Sequence, residues 1–276
     1  MLGTWFLASF AAVALSGASL QTDIEFAKVD GESLKMDASI PDGKGPFPTV
    51  ILVHGGGWQS GDKAFNFKQI FEPLSKAGFA WFSVNYRLAP KHVYPAAIDD
   101  VVEAIKYVRA HAQQYKVDSK RIAISGESAG GHIVAMIGAR YGRELGIAAV
   151  VPFYPATNFV ALVEGQDKTE RAVRGVTQFV GVSEINDEAR KRLREASPIT
   201  YVHPGMPPYL FVHGTEDQLC NFRQSQTMCE KMKQAGNSCE IYALKGAPHW
   251  LARWEDHPEW EGYKQKVVDW LRQTMK

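Results

Sequence analysis

Arg121-Ile122-Ala123-Ile124-Ser125-Gly126-Glu127-Ser128-Ala129-Gly130 is the stretch that decides the fold. Its first half is an apolar run of strand character, and residues 133–137 beyond it read as helix. A G-x-S-x-G pentapeptide between a strand and a helix marks a sharp turn that holds its serine in a strained backbone conformation. The flanking Gly126 and Gly130 leave room for the strand and the helix to approach one another. The hydroxyl of Ser128 then projects from the end of a sheet, where a substrate carbonyl can reach it. Hydrolysis of an ester or a related acyl bond is the chemistry this turn implies. The pentapeptide is short and built of common residues, so its partners must be found elsewhere in the chain.

A second stretch, His54-Gly55-Gly56-Gly57-Trp58, follows Thr49-Val50-Ile51-Leu52-Val53, a β-branched run that suits a strand buried on both faces. Three consecutive glycines cost conformational entropy, which a plain turn rarely requires. Backbone N–H groups unobstructed by side chains can there face the oxygen that becomes negative during acyl transfer. A flexible glycine-rich turn and a phosphate cradle are the competing readings. The cradle lacks the Gly-Lys-Ser/Thr ending that would hold a nucleotide.

In sheets that carry such a turn, the acid and then the histidine follow the serine along the chain. Downstream, Pro208-Tyr209-Leu210-Phe211-Val212 reads as a buried strand leading into His213-Gly214-Thr215-Glu216-Asp217. Asp217 is the candidate acid and Glu216 the alternative, because a shorter carboxylate on a tight turn has less rotamer freedom to lose. A helix N-cap for the segment from Asn221 is the structural alternative for Asp217. The strand Glu240-Ile241-Tyr242-Ala243-Leu244 leads into Lys245-Gly246-Ala247-Pro248-His249, which makes His249 the candidate base. His257, just before Pro258, reads as the lead-in to a final helix; His203, His213 and His132 read as ordinary structural histidines.

The rest of the chain alternates strand and helix, the pattern of a mostly parallel α/β sheet flanked by helices. Strands are expected at 34–40, 80–86, 121–125, 148–153, 208–212 and 240–244. Helices are expected at 62–77, around the stripe Ile98, Val101, Val102, Ile105 and Val108, and at 258–275. The alternation breaks at about 156–197, a charged stretch that reads as a lid with a helix over 184–195. Its charges are expected to form a solvated face. A length of 276 residues suits one large core, read as a single domain over 21–276. With 31 basic and 30 acidic residues the net charge is +1, which gives no footprint for nucleic acid or a polyanion.

Taken together these stretches resemble the α/β-hydrolase esterases of the hormone-sensitive-lipase type, and among them the carbohydrate-esterase-like branch related to acetylxylan and feruloyl esterases. Gly61-Asp62-Lys63, Asn85-Tyr86-Arg87-Leu88-Ala89-Pro90, Tyr94-Pro95-Ala96-Ala97 and Asp99-Asp100 add to the match. The resemblance implies a Ser128–His249–Asp217 triad with oxyanion donors at Gly56, Gly57 and Ala129, and no cofactor. The family often has Val-Pro after the acid, where this chain has Leu219-Cys220. Of three cysteines, Cys229 reads as helical and Cys239 as opening the next strand. A bridge between them is geometrically reasonable, and related exported esterases carry a similar pair. Three reduced thiols remain the alternative, and no paired C-x-x-C suggests zinc.

Residues 5–15 are apolar and Ser16-Gly17-Ala18 resembles a cleavage signal, so residues 1–20 are expected to be a signal peptide of a secreted or periplasmic protein, without a stable membrane anchor. No Lys or Arg lies in that stretch. Trp58 beside the glycine loop and Trp250 and Trp254 after His249 are candidate platforms for a sugar ring, or else packing residues. The substrate expected is a small-molecule or carbohydrate ester with a short acyl group. A peptidase-like enzyme, a formamidase or a lactonase would use the same groups. A non-catalytic binding module would be expected to have lost one of them.

Overall fold

Pleating assigns each core side chain to one face of the sheet or the other. A computed structural model of the chain describes residues 18–64, 67–166 and 168–276. Its strands are β1 (Ser19–Val29), β2 (Glu32–Ile40), β3 (Phe47–Val53), β4 (Ala80–Val84), β5 (Val117–Glu127), β6 (Ala149–Phe153), β7 (Tyr209–Gly214) and β8 (Cys239–Leu244). They form one sheet in the order β1-β2-β4-β3-β5-β6-β7-β8. The β1–β2 and β2–β4 pairs are antiparallel and the pairs from β4 to β8 are parallel. Hence β3, β5, β7 and β8 all end at the same edge.

Two helical layers cover the faces. Ile51 and Val53 of β3 join Ile98 and Val101 of α2 (Ala96–Ala110) and Ile133 of α3 (Ala129–Arg140). Val50 and Leu52, one residue out of phase, join Leu74 of α1 (Phe71–Lys76) and Val267 and Leu271 of α9 (Gly262–Thr274). This alternation in a strand buried on both faces is why 49–53 is apolar throughout rather than every second residue. Three helices, α4 (Phe159–Glu164), α5 (Glu170–Val180) and α6 (Asp187–Glu195), lie between β6 and β7 in the stretch expected to depart from the alternation. Their Phe159, Val176, Phe179 and Leu193 are fully buried and join the α2/α3 core. Asn158, Thr169 and Asn186 each cap one of these helices by accepting a backbone N–H, which is why all three start cleanly.

Several boundaries differ from expectation. The helix expected over 62–77 is only α1, preceded by a 3-10 turn at Lys68–Ile70. Pro73 lacks the N–H an earlier start would need, and it falls within the first turn of α1, where that loss is harmless. Upstream, the Lys63 N–H donates to Asn85 Oδ1 and its ammonium pairs with Asp37 at 2.9 Å, so this stretch is tied to the sheet. The strand expected over 80–86 stops at Val84, and the final helix starts at Gly262 after a separate turn of helix, α8 (Leu251–Trp254). The apolar run at 5–15 lies outside the described residues. Among the described residues no helix is long and apolar enough to cross a membrane.

Cys229 of α7 (Arg223–Gln234) and Cys239 at the start of β8 are joined by a disulfide, with their Cα atoms 5.6 Å apart, and Cys220 is a buried thiol. Closing a loop of this length stabilises a fold by roughly 2–3 kcal/mol. Removing the bridge in a Cys229→Ala/Cys239→Ala variant is expected to lower the melting temperature by about 5–10 °C in scanning calorimetry. An unchanged melting temperature would mean that the α7–β8 connection is already rigid without the bond.

Candidate active site

Ser128 occupies the turn between β5 and α3 with φ 52° and ψ −113°, a left-handed conformation that few non-glycine residues adopt. The turn is possible because a Cβ on Gly130 would lie 2.1 Å from the Val53 carbonyl oxygen and one on Gly126 2.5 Å from Gly130. Asp217 follows β7 and His249 follows β8, at the same edge of the sheet. His249 Nε2 lies 2.9 Å from Ser128 Oγ, and His249 Nδ1 lies 2.6 Å from Asp217 Oδ2. The imidazole is thus between the hydroxyl and the carboxylate. Because Nδ1 faces a carboxylate it carries the proton, which leaves the Nε2 lone pair for the serine hydroxyl.

The carboxylate of Asp217 is fully enclosed. Burial by itself would raise its pKa. Hydrogen bonds from His213 and His249 outweigh that and hold it well below the ordinary carboxylate range. Its other oxygen accepts the N–H groups of Leu219 and Cys220, both at 2.8 Å. Asp217 does not cap α7, whose N-cap residue is Phe222. Glu216 is exposed and takes no part. His213 reads from sequence as an ordinary structural histidine, yet it sits against the acid. Its Nε2 is 3.3 Å from Asp217 Oδ2 and 2.8 Å from the Cys220 carbonyl, while Nδ1 meets Ser225 Oγ at 2.7 Å. Two acceptors at Nε2 place the ring proton there. The signal for this role was its position at the end of β7, four residues before the acid. His203 and His257 are surface residues, bonded to Pro204 and Glu259 respectively.

Beside Ser128 opens a cavity of about 510 Å³ whose wall includes Gly56, Gly57 and Ala129. Gly56 has φ 107°, and a Cβ there would lie 2.0 Å from the Ser60 carbonyl oxygen, so only glycine fits. His54 does not face the cavity. It stacks on Tyr86, and burial lowers its pKa to about 4, which keeps it neutral. Tyr86 donates to the His54 carbonyl at 3.1 Å, and the Arg87 guanidinium grips Asp100 at 2.8 Å. Tyr86, with the Ala89 N–H that donates to the Trp58 carbonyl at 2.8 Å, braces the glycine loop from behind.

The three tryptophans separate. Trp250 borders the cavity, is 37% exposed and has φ 78°. Trp58 borders it too, but only 5% of its surface is open: it stacks on Phe179 and donates to His132 Nδ1 at 3.1 Å. Trp254 is no platform. It is fully buried against Tyr154 and Tyr263 and donates to the Pro248 carbonyl, because α8 turns it into the core. Arg171 and Arg174 of α5 are exposed, as expected for a solvated face, and both border the cavity.

Glu127, the residue before the serine, is buried and received no role in the sequence. One of its carboxyl oxygens accepts the Gly55 N–H at 3.3 Å and the other accepts the Tyr154 hydroxyl at 2.5 Å. Tyr154 packs edge-on to His249 with ring centroids 4.5 Å apart, and its oxygen accepts the Leu251 N–H. Glu127 thus links the glycine loop to the histidine loop. Burial raises its pKa from 4.5 to about 7, and the hydrogen bonds from Tyr154 and Gly55 only partly oppose this. An acid that holds its proton more tightly folded than unfolded costs stability as pH rises between those two values. Glu127→Gln removes that cost. Relative to wild type, its melting temperature is expected to rise as the pH increases from about 4.5 to about 7. A constant difference across that range would mean that Glu127 titrates normally.

The family described as BD-FAE matches residues 36–232. Esterase LipC of Mycobacterium tuberculosis is 32% identical over 225 residues, which cover 74% of this chain and 53% of LipC. The chain spans about half the length of several curated relatives it matches. Among solved structures, a bacterial heroin esterase superposes with a TM-score of 0.82 at 25% identity, covering 96% of this chain and 87% of the other. A truncated carbohydrate esterase from gut microbiota superposes with a TM-score of 0.80 at 23% identity, covering 95% and 98%, a likeness of fold. The match to the family takes in the Ser128 turn, the glycine loop and Asp217, and the chain belongs to the BD-FAE family, on an α/β-hydrolase fold.

Proposed function

We propose that the chain is a serine carboxylic-ester hydrolase that works through Ser128, His249 and Asp217. The observation that carries this reading is the unbroken hydrogen-bonded row from Asp217 through His249 to Ser128 Oγ, ending at a cavity walled by Gly56, Gly57 and Ala129. The names of its relatives, esterases and carboxylic ester hydrolases, support the same class.

His249 Nε2 takes the Ser128 proton as Oγ adds to the ester carbonyl carbon. Asp217 keeps the imidazole in the tautomer that allows this and stabilises the imidazolium. The negative charge moves onto the carbonyl oxygen, which the N–H groups of Gly56, Gly57 and Ala129 receive. Nε2–H then passes its proton to the leaving alcohol oxygen as the C–O bond breaks, giving an acyl-serine. Water repeats the sequence: His249 takes its proton, the acyl carbon gains OH, and the proton returns to Oγ. Loss of one oxyanion donor in such a site costs a factor of roughly 10²–10³ in kcat.

The substrate is a short-chain acyl ester, acetyl foremost, and the alcohol half a sugar. Trp250, 37% exposed at the cavity rim, supports a sugar ring bound beside it. The Cys229–Cys239 bond supports export to an oxidising compartment.

Steady-state hydrolysis of p-nitrophenyl esters from acetate to decanoate is the primary test. Turnover is expected to be highest on acetate and to vanish in Ser128→Ala. Asp217→Asn should lower kcat by on the order of 10⁴ with unchanged circular dichroism. Acetate release from acetylated xylan oligosaccharides tests the alcohol half. Activity on small esters with none on the oligosaccharides would remove the sugar and keep the esterase. Turnover that survives Ser128→Ala would remove both.

A further inference from the structure

The cavity beside Ser128 has an unbalanced charge. Arg171 and Arg174 of α5 border it, one turn of helix apart and so on one face. Two other arginines of the same helical insertion are engaged: Arg190 pairs with Glu164 and Asp187 at 2.9 Å each, and Arg192 donates to the Gly181 carbonyl. Among the described residues neither Arg171 nor Arg174 has a carboxylate partner. The Arg171 guanidinium instead lies 5.3 Å from the centre of the Trp250 ring, with Arg253 at 5.2 Å from the same ring. The acid on the cavity wall, Glu127, has both carboxyl oxygens engaged by Gly55 and Tyr154. Two exposed guanidiniums therefore border the cavity with no carboxylate partner among the described residues.

Position says which half of a substrate they meet. In an ester hydrolase built on Ser128, His249 Nε2 must hand its proton to the leaving oxygen, so the alcohol departs on the His249 side. Trp250 is the next residue, and Arg171 lies against its ring. The alcohol half then passes along Trp250 and under α5. A guanidinium is a planar fork suited to a carboxylate, and stacking on an indole holds its plane in place.

We propose that Arg171 and Arg174 select esters whose leaving alcohol carries an anionic group, a carboxylate above all. This rests on the esterase reading and narrows it: the substrate is the acyl ester of a hydroxy acid or of an acidic sugar such as a uronic acid. Attraction by two cations also draws such a substrate to the cavity mouth, an effect that salt screens.

The test compares matched acetyl esters, 4-acetoxybenzoate and the neutral 4-acetoxybenzamide, each rate being corrected for its hydroxide-catalysed reactivity. At low ionic strength kcat/KM for the anion should exceed that for the amide by about fivefold to tenfold. The advantage should shrink as sodium chloride is added, a measurement on the wild-type protein that needs no variant. In Arg171→Glu/Arg174→Glu the ratio should fall below one, and in Arg174→Gln it should lie between. Phenyl hemisuccinate against phenyl butyrate asks whether an anion on the acyl side is favoured instead. Equal rates on the first pair at low salt, a ratio indifferent to charge reversal, or preference for the hemisuccinate would each overturn the proposal. If the amide is hydrolysed through Ser128 without any anionic preference, the esterase reading survives and this one falls. No hydrolysis of any of the four esters would remove both.

Discussion

The bond from Asp217 to His249 is the interaction on which the site depends. It places two groups 32 residues apart in the chain at 2.6 Å and fixes the ring so that its other nitrogen meets Ser128 at 2.9 Å. Neither contact would form without the parallel order of β5, β6, β7 and β8, which carries the three residues to one edge of the sheet. The sheet supplies the convergence, and the loops at its edge need only be short. The acid is anchored more firmly than a single partner would manage, by two backbone amides and by His213 as well. A carboxylate held this way stays ionised although buried, because each donor favours the charged form.

The glycine loop is held by a second set of contacts, independent of the first. Tyr86, just past the end of β4, donates to the His54 carbonyl, Gly61 passes too close to His54 for any side chain, and Glu127 accepts the Gly55 amide from the serine turn itself. Glu127 and Tyr154 then connect this loop to the histidine loop. The two parts of the site, the Asp217–His249–Ser128 row and the glycine loop, are thereby connected through one buried carboxyl.

Much of this was legible in the chain. The strand runs at 49–53, 121–125, 208–212 and 240–244 are dense enough in apolar residues to identify themselves, and the serine, acid and histidine stand where the ends of such strands must bring them. What was not legible depended on packing. Trp254 and Trp250 are four residues apart with similar neighbours, yet the short turn of α8 sends one into the core and leaves the other at the rim. The helix expected from 62 was shortened by Pro73 and by ties from Lys63 to the sheet. His213 could not be told from a structural histidine, because its partner Asp217 was itself a candidate. Arg171 and Arg174 look like any solvated pair on a charged helix until the insertion is seen to fold over the cavity.

Covalent trapping of the serine addresses the central claim most directly. A fluorophosphonate reacts at phosphorus with a hydroxyl only where a base removes its proton and donors receive the developing charge. Intact-mass spectrometry after brief exposure should show a single adduct, and peptide mapping should place it on Ser128. The adduct should be missing from Ser128→Ala and formed much more slowly by His249→Ala. A folded wild-type protein that remains unlabelled, or carries the adduct on another residue, would contradict the account.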